Sequence, residues 1–422
     1  MRTSGGRAIR RGSLGAALLA LTLLGIAADP AHAESVRDMQ WHLDAMKADE
    51  MWKISKGEGV TVAVIDSGVD DTIPDLRGQV LPGKDYSHMS GDENNDVDDH
   101  GTSMATLIAG TGARGPQQGS YGLAPKAKIL PIRIAYNQER WQQKNGVNYS
   151  FSEGMAMAIR YAADSQAKII SISVANDHEP GPELANAVRY ALSKNKLVFA
   201  GVGNTGDRLN EVNYPAATPG VVGVGGLDRK AARWPKSQSG PQVDLAAPAE
   251  DMVSGCSQGT KVCGGSGTSA STAIASASAA LIWAKHPTWT NNQVLRVMLN
   301  TAGKPENGKD RTDLIGYGSL RPRVALTTPG DPGPADVYPL PDLAAAAASP
   351  TPPAASNPPG SATPSPETSA PSVPAESAAV DPAASSGGGS GSTLWIVLGV
   401  AAAVIVGGAV AFGVVRARAP RS

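Results

Sequence analysis

The 422-residue sequence has no excess of charge of either sign, since 37 Lys and Arg residues stand against 38 Asp and Glu residues. No basic run occurs between residues 34 and 325, which argues against a nucleic-acid partner. Cysteine is nearly absent, with two residues in the whole chain. Large apolar side chains are scarce at 327–392, where Pro, Ala, Ser and Gly dominate. Such a stretch cannot offset the entropy cost of folding, so we expect a disordered linker there.

Long hydrophobic runs are missing from the middle of the chain and occur near both ends. Residues 1–33 combine four Arg, an apolar stretch and an Ala-His-Ala cleavage pattern, which predicts a signal peptide. Residues 393–415 carry no charge and, at about 1.5 Å per residue, are long enough for a helix that crosses a bilayer. The Arg-rich tail at 416–422 is then cytoplasmic. The prediction is a single-pass protein of the cell membrane with an extracellular domain.

Between these ends the sequence predicts one folded domain at 59–326, preceded by an N-terminal extension at 34–58. The extension is too short to fold as a separate prodomain, so we expect it to lie against the domain. Cys256 and Cys263 belong to a Gly- and Ser-rich loop of this exported domain. Disulfides persist outside the cytosol, and no further Cys or His has metal-ligand spacing nearby. We therefore predict a disulfide in preference to two free thiols or a metal site.

Short apolar runs rich in Val and Ile alternate with helical patterns through the domain. We predict strands at 60–65, 128–134, 168–174, 197–202 and 221–224, and helices at 103–111, 152–165, 182–194 and 269–285. This alternation is typical of an α/β fold with a mostly parallel central sheet and helices on both faces. Sites gather where the carboxyl ends of such strands meet. Asp66 and Asn204 each follow a predicted strand and so belong to that edge.

A histidine suited to act as a base emerges by elimination among the six in the sequence. His100 begins the segment HGTSMATLIAG, in which a Gly turn leads into a predicted helix rich in small residues. A ring at such a helix start is held by the scaffold while its edge stays accessible. The other five lie in the signal peptide, in polar loops, at a helix end or before the first strand. A serine nucleophile needs such a base, a carboxylate that orients it and donors for the oxyanion.

Three motifs together resemble those of the subtilisin-like serine peptidases. The family's Asp, His and Ser motifs are matched by VAVIDSGV at 62–69, by HGT at 100–102 with IAG at 108–110, and by GTSA at 267–270. The motifs stand in the family's order, and the resemblance covers about residues 40–325. It implies a subtilisin-like three-layer domain and a serine endopeptidase with Asp66, His100 and Ser269 as its catalytic triad.

Ser103 competes with Ser269 for the role of nucleophile, because GTSMA at 101–105 matches the family's Ser motif more literally. We prefer Ser269, since it opens a long helix far along the chain from His100, as an independent element facing the base should. Ser103 is then a helix-packing residue. The Pro that usually follows the family's nucleophile by a few residues is absent, which removes a constraint on the helix start but no reacting group.

Asn204, in the segment AGVGNTG, matches the family's oxyanion asparagine. A neutral amide donor suits the negative oxygen of a tetrahedral intermediate. The alternative is a structural Asn in a Gly-rich turn. By the same resemblance, the strands near Ile134 and Ser173 would flank an extended substrate, with Ser173 near the first pocket.

No organic or redox cofactor is implied by the resemblance. The acidic run at 92–99 carries Asp and Asn at alternate positions, as a calcium loop does, but the Gly and the closing Glu of an EF-hand are missing. We expect a solvated acidic loop, with bound Ca²⁺ as the less favoured alternative.

The order of the segments resembles that of the mycosins, the membrane-anchored proteases of type VII secretion systems. The start QWHLDAM at 40–46 is also similar to theirs. The resemblance implies few protein substrates, and membrane components of the secretion system as candidate partners. Two alternatives stay open: a structural component of a membrane secretion complex with dispensable proteolysis, and a broad-specificity cell-surface protease.

Overall fold

Parallel strands form the central sheet of the protein, in a computed structural model that describes residues 34–135, 151–257 and 262–348. The sheet contains β1 (Thr61–Asp66), β2 (Lys84–Asp85), β3 (Lys128–Arg133), β4 (Ile169–Ile172), β5 (Leu197–Gly201), β6 (Val222–Leu227) and β7 (Leu245–Pro248). The five predicted strands are all present, close to their predicted bounds. The sequence did not predict strands β2 and β7.

Strand β1 lies where the strand order of the sheet switches sides. Its neighbours are β3 and β4, so that Ile65 pairs with both Ile132 and Ile172. Strands β2 and β3 lie on one side of β1, and β4 to β7 follow on the other. Such a switch point opens a crevice at the carboxyl ends of the strands. Asp66 is the last residue of β1 and therefore lies at this crevice.

Helices connect the strands and continue to the end of the described chain. They are α1 (Val36–Met39), α2 (Trp41–Ala45), α3 (Ala48–Met51), α4 (His100–Ala109), α5 (Phe151–Asp164), α6 (Pro182–Ser193), α7 (Thr268–Lys285), α8 (Asn291–Thr301), α9 (Pro322–Thr327) and α10 (Asp342–Ala348), with a 3₁₀ turn at Pro74–Leu76. The four predicted helices correspond to α4, α5, α6 and α7. A helix as short as α1 or α3 gives too little periodicity to be recognised in a sequence.

Both faces of the sheet are covered by helices, as predicted. Helices α5 and α6 pack on one face against an apolar cluster that includes Ile65 and Val198. Helices α4, α7 and α8 pack on the other, in a cluster that includes Phe199 and Trp283. Helix α7 consists mainly of Ala, Ser and Thr and crosses β1 and β4 to β7. Its small side chains let the backbone approach the sheet closely, which is why it is buried on nearly all sides.

The N-terminal extension lies against the domain, as expected. Gln40 is fully buried; its Nε2 donates to the carbonyl oxygen of Tyr121 at 2.8 Å and its Oε1 accepts from the Tyr121 N–H at 2.9 Å. The indole N–H of Trp41 donates to the Glu250 carbonyl at 3.0 Å. These contacts reach the loop after α4 and the turn after β7, so the extension is part of the folded domain.

Residues 328–348, the C-terminal strap, are also packed on the domain. The sequence placed them in a disordered linker, and the structure corrects this. The guanidinium of Arg296 donates to three strap carbonyl groups, those of Pro332, Pro334 and Val337, at 2.9, 3.0 and 2.6 Å. Leu340 is 3% exposed, and the Tyr338 hydroxyl donates to the Gly220 carbonyl at 2.9 Å. The strap is held through its main chain, which composition does not reveal.

Strands β8 (Met252–Gly255) and β9 (Val262–Gly265) form an antiparallel hairpin beside the main sheet. Cys256 and Cys263 form the predicted disulfide, with a Cα–Cα distance of 5.7 Å. The bond ties the two arms at the loop end of the hairpin, where β8 ends and β9 begins. The other end of β9 leads towards Gly267 and helix α7.

No helix within the three described ranges is both long enough and apolar enough to cross a membrane. The predicted signal peptide at 1–33, the membrane span at 393–415 and the tail at 416–422 lie outside the described residues, as does most of the predicted linker.

Candidate active site

Asp66 and His100 meet at the crevice beside β1. The His100 Nδ1 lies 2.7 Å from Asp66 Oδ1, at the first residue of α4 and the last residue of β1. The Asp66 side chain is 0% exposed and that of His100 20% exposed. The carboxylate also accepts a hydrogen bond from the Ser67 N–H at 2.8 Å. A buried acceptor thus orients an imidazole that still reaches the surface.

Two glycines allow this close approach. A Cβ on Gly101 would lie 2.0 Å from the Gly68 carbonyl oxygen and 3.0 Å from the Asp66 Cβ. Gly68 has a φ of 123°, and a Cβ there would lie 2.5 Å from the Asn95 carbonyl oxygen. A side chain at position 101 would push α4 away from the end of β1, and one at position 68 would displace the loop at Asn95. The Gly after His100 in the sequence is therefore a geometric requirement of the Asp66–His100 contact.

Asp96 and Ser67 hold the elements that carry the Asp66–His100 pair. The sequence did not indicate this role for either residue. The Ser67 hydroxyl donates to Asp96 Oδ1 at 2.7 Å and accepts from the Gly101 N–H at 3.0 Å. Asp96 Oδ2 accepts from the Thr102 N–H at 2.7 Å. Asp96 thereby fastens the first turn of α4 to the loop after β1. The available signal was its place within the acidic run just before His100.

The charges around His100 favour its protonated form. Burial lowers the pKa of His100, but the carboxylates of Asp66, Asp96 and Asp98 together outweigh this effect, so the pKa is raised. Burial also raises the pKa of Asp96, although Thr102 and Ser67 donate hydrogen bonds to its carboxylate and oppose the rise. An imidazole whose proton is stabilised in this way is suited to act as a general base.

Ser269 lies at the start of α7 on the same crevice. Its hydroxyl donates to the Ser173 carbonyl at 3.2 Å, and the Ser173 hydroxyl donates to the Ser269 carbonyl at the same distance. Ser269 and His100 line one cavity of about 350 Å³, together with Asn204. Ser103 also lines it, but its hydroxyl is hydrogen-bonded to that of Ser254 at 2.5 Å. The two candidate nucleophiles therefore differ in their partners.

The amide of Asn204 has a defined orientation. Its Oδ1 accepts from the Thr268 N–H at 2.9 Å and from the Thr268 hydroxyl at 3.1 Å. A Cβ placed on Gly267 would lie 3.6 Å from the Asn204 Nδ2 and 3.7 Å from its Oδ1, so the amide lies beside the residues before Ser269. Its oxygen is thus occupied by Thr268, and Asn204 lines the same cavity as Ser269.

Two cavities meet at Ser269 and Asn204. The His100 cavity, of about 350 Å³, is defined by His100 and extends between α4 and the disulfide hairpin. The Ser173 cavity, of about 370 Å³, is defined by Ser173 and extends along the ends of β4 and β5. A peptide that crosses Ser269 can therefore place side chains on either side of it.

Ile134, a predicted substrate contact, lines neither cavity. Its side chain is 1% exposed and packs in the apolar cluster beneath α5, and its N–H donates to the Asp66 carbonyl at 2.9 Å. Ile134 follows β3 directly, and its hydrogen bond continues the pairing of β3 with β1. Its position supports the crevice from within the sheet.

The acidic run before His100 borders a surface cavity shared with Asp70, Asp71 and Thr72. Within the described residues, no group of three or more His, Cys, Asp or Glu side chains is arranged to hold a metal ion. Several of these oxygen atoms accept from backbone N–H groups instead, as Asp92 Oδ1 does from Asn94 at 3.0 Å. The solvated acidic loop stays the prediction of the sequence, with bound Ca²⁺ as its less favoured alternative.

Comparisons with known proteins agree with this geometry. A family model described as the subtilase family matches residues 57–318. Mycosin-1 of Mycobacterium tuberculosis is 32% identical over 342 residues, which cover 71% of this chain and 75% of that protein.

Solved structures of mycosins and of a secretion assembly are also similar to this chain. The crystal structure of MycP1 from Mycobacterium smegmatis matches with a TM-score of 0.63 at 28% identity, and the match covers 73% of this chain and 89% of that one. A chain in the structure of the periplasmic assembly from the ESX-5 inner membrane complex matches with a TM-score of 0.59 at 26% identity, over 76% of this chain and 90% of that one.

Proposed function

Because the chain belongs to the subtilase family and, within it, to the mycosins, we propose that it cleaves peptide bonds with Asp66, His100 and Ser269 as its catalytic triad. Asn204 supplies the side-chain donor of the oxyanion hole. The observation that carries the proposal is the 2.7 Å contact between His100 and the buried Asp66, on a cavity that Ser269 and Asn204 also line. Nucleophile, base and donor thus border one space that a substrate can enter.

The reaction follows from the chemistry of these groups. The Ser269 hydroxyl oxygen attacks the peptide carbonyl carbon, and its proton passes to Nε2 of His100. Asp66 accepts the Nδ1–H hydrogen bond and stabilises the imidazolium. The Asn204 amide and the Ser269 N–H stabilise the oxyanion, a contribution of about 10²–10³ in rate for one such donor. His100 then protonates the leaving amine, and water releases the acyl group by the same steps in reverse.

The protonation of His100 sets the pH dependence of this reaction. His100 accepts a proton only when neutral, and the surrounding carboxylates raise its pKa. We expect kcat/KM to fall with decreasing pH through a midpoint above about 6.5, the ordinary value for histidine. A rate that stayed level between about pH 5 and pH 8 would argue against His100 as the base.

Labelling with a fluorophosphonate tests the choice of nucleophile. The reagent reacts with an activated serine, and the modified residue of the full-length protein is mapped by mass spectrometry. We expect the label on Ser269, its loss in Ser269→Ala, and its retention in the matched variant Ser103→Ala. Label on Ser103, or none at all, would overturn the assignment.

The proposal extends to where the enzyme works. The sequence patterns of a signal peptide at 1–33, of a span at 393–415 and of an Arg tail support an extracellular domain anchored by one C-terminal helix. Similarity to mycosins supports a role in type VII secretion, with few protein substrates. Deletion of 393–422 should move the protein from the membrane fraction to the soluble fraction, and membrane association that survived the deletion would contradict the anchor.

A second function is favoured by the match to a chain of a periplasmic secretion assembly. The protein would then act as a structural component of a membrane secretion complex, with or without proteolysis. Complementation of a deletion strain separates the two roles. Secretion restored by Ser269→Ala to the wild-type level would make the structural role the essential one, whereas secretion lost in both strains would make proteolysis essential.

A further inference from the structure

The two cavities at Ser269 differ in their relation to the proposed base. His100 delivers a proton to the nitrogen that leaves when the peptide bond breaks, so the amine departs on the side of His100. The acyl group stays bonded to Ser269 Oγ, whose hydroxyl contacts the main chain of Ser173. We propose that the His100 cavity binds the side chain of the residue that follows the cleaved bond, and that it selects a large apolar side chain. This inference rests on the function proposed above.

The lining of the His100 cavity combines polar groups with buried apolar side chains. Four of its lining residues are Met104 and Leu107 from α4, Met252 from β8 and Ala270 from α7. They are 6%, 1%, 3% and 4% exposed, so these side chains form the inner wall of the cavity. An apolar ligand group gains free energy when such a wall removes it from water.

Some of the polar groups of this lining already have hydrogen-bond partners in the protein. The hydroxyls of Ser103 and Ser254 are hydrogen-bonded at 2.5 Å, which leaves one hydroxyl proton between them for a ligand. Asp99 accepts a hydrogen bond from the Ser257 hydroxyl. Asp98 is exposed to solvent, where the attraction of a carboxylate for a cation is weak. The cavity therefore does not require a charged or strongly polar side chain.

The size of the cavity fits a large side chain. Its volume is about 350 Å³. An apolar cavity of about 150 Å³ in another protein holds a benzene molecule, so an aromatic or branched side chain has room here. Ala270 follows Ser269 directly and contributes a single methyl group. A longer residue at 270 would occupy the space that the substrate side chain needs.

Competition between amine nucleophiles for the acyl-enzyme measures the side-chain preference of the His100 cavity. A peptide methyl ester, whose leaving group is too small to fill the cavity, acylates Ser269 and releases methanol. An added amino-acid amide then attacks the acyl carbon, a C–N bond forms, and the Ser269 oxygen leaves and regains its proton through His100. We expect leucinamide and phenylalaninamide to capture the acyl group of the full-length enzyme at least about tenfold better than glycinamide.

A filled cavity should abolish this preference. In Ala270→Leu we expect leucinamide and glycinamide to be captured equally, relative to hydrolysis. The matched variant Ala175→Leu alters the Ser173 cavity and should keep the preference for leucinamide. A burst of methanol release from a variant shows that it is folded. The comparison of amides with the wild-type enzyme tests the subsite even if a variant does not fold.

The outcomes separate this inference from the proposed function. Methyl-ester turnover with equal capture of all amides, or with preferential capture of lysinamide, would overturn the apolar subsite and leave the triad intact. Absence of ester turnover in the wild-type enzyme would overturn the proposed function, and the subsite with it.

Discussion

At the residue scale, the geometry of the site depends on small groups that hold larger ones. Ser67 connects the loop after β1 to Asp96 and to the first turn of α4 through single hydrogen bonds of 2.7 and 3.0 Å. Asp96 in turn accepts the Thr102 N–H. A displacement of the Asp66–His100 pair by about 1 Å can cost a factor of about 10² in rate. These supporting residues therefore influence the chemistry without contact with substrate.

We expect Asp96→Asn to shift the acid limb of the pH–rate profile to lower pH. The substitution keeps a hydrogen-bond acceptor but removes one of the negative charges that raise the pKa of His100. The neutral imidazole then persists to lower pH. The plateau rate should fall by less than about tenfold, because a single hydrogen bond contributes about 1 kcal/mol. The measurement is kcat/KM against pH with a peptide substrate.

Asp98→Asn is the matched control for this shift. Asp98 also raises the pKa of His100, but it is exposed, and salt screens its charge. The shift of the acid limb in Asp98→Asn should therefore be smaller than in Asp96→Asn and should vanish at high ionic strength. A pH profile of Asp96→Asn that coincided with the wild type would contradict the role of Asp96.

At the element scale, helix α7 and the C-terminal strap show two different ways to attach a segment. Helix α7 is buried because its side chains are small enough for close packing against five strands. The strap has little to bury and is held through carbonyl groups, three of which accept from Arg296. A charged donor that replaces hydration of several carbonyls stabilises such a segment, since hydrogen bonds to charged groups are stronger than neutral ones.

We expect Arg296→Ala to loosen the strap and to lower the free energy of unfolding by about 1–3 kcal/mol. The variant should be cut by an added protease within 328–348 sooner than the wild type is. Arg323→Ala is the matched control, because Arg323 is 46% exposed and contacts Glu50 at 3.7 Å. Equal rates of cleavage in both variants would mean that Arg296 does not hold the strap.

At the scale of the whole domain, the candidate active site and the strap contact with Gly220 lie at opposite ends of the strands of the sheet. The site lies at the carboxyl ends of β1, β4 and β5, whereas the strap contacts Gly220 just before β6. Asp342 of the strap accepts from the Gly220 N–H at 2.7 Å, and Asp244 precedes β7 nearby. Substrate can therefore enter the crevice without contact with the strap.

Asp244 should make the stability of the domain depend on pH. Burial raises the pKa of Asp244 to about 8, and the charge of Asp342 adds to this rise. The unfolded chain loses the proton near pH 4, at about the ordinary pKa of aspartate. Between these pH values the folded state binds the extra proton, so the free energy of unfolding falls as pH rises. The slope from this group is at most about 1.4 kcal/mol per pH unit.

The substitution Asp244→Asn removes this dependence while its side-chain oxygen still accepts from Gly223, as Asp244 does at 2.9 Å. We expect a higher urea midpoint than the wild type at pH 8 and an equal midpoint at pH 4. Asp313→Asn, at an exposed side chain, is the control and should follow the wild type. Parallel curves for Asp244→Asn and the wild type would contradict a raised pKa of Asp244 in the folded domain.

Sequence alone determined the features that depend on neighbouring residues. The strand of Val and Ile before Asp66, the Gly after His100 and the small residues of α7 each specify a local conformation. The pattern predicted the fold class, five of the strands and four helices for this reason. The disulfide could also be predicted from the sequence, because Cys256 and Cys263 close a short loop. Asp66, His100, Ser269 and Asn204 were found as candidates from motifs, and their roles are proposals.

Tertiary structure decided the features that depend on residues far apart in the chain. Gln40 is buried because Tyr121 and Val253 satisfy its amide, and no local pattern indicates such partners. Ile134 is a core residue because β1 lies beside it, and the strap is ordered because Arg296 happens to face its carbonyls. The cavity beside His100 exists only where α4, α7 and the hairpin meet. Packing of distant elements, which composition and periodicity do not encode, set these outcomes.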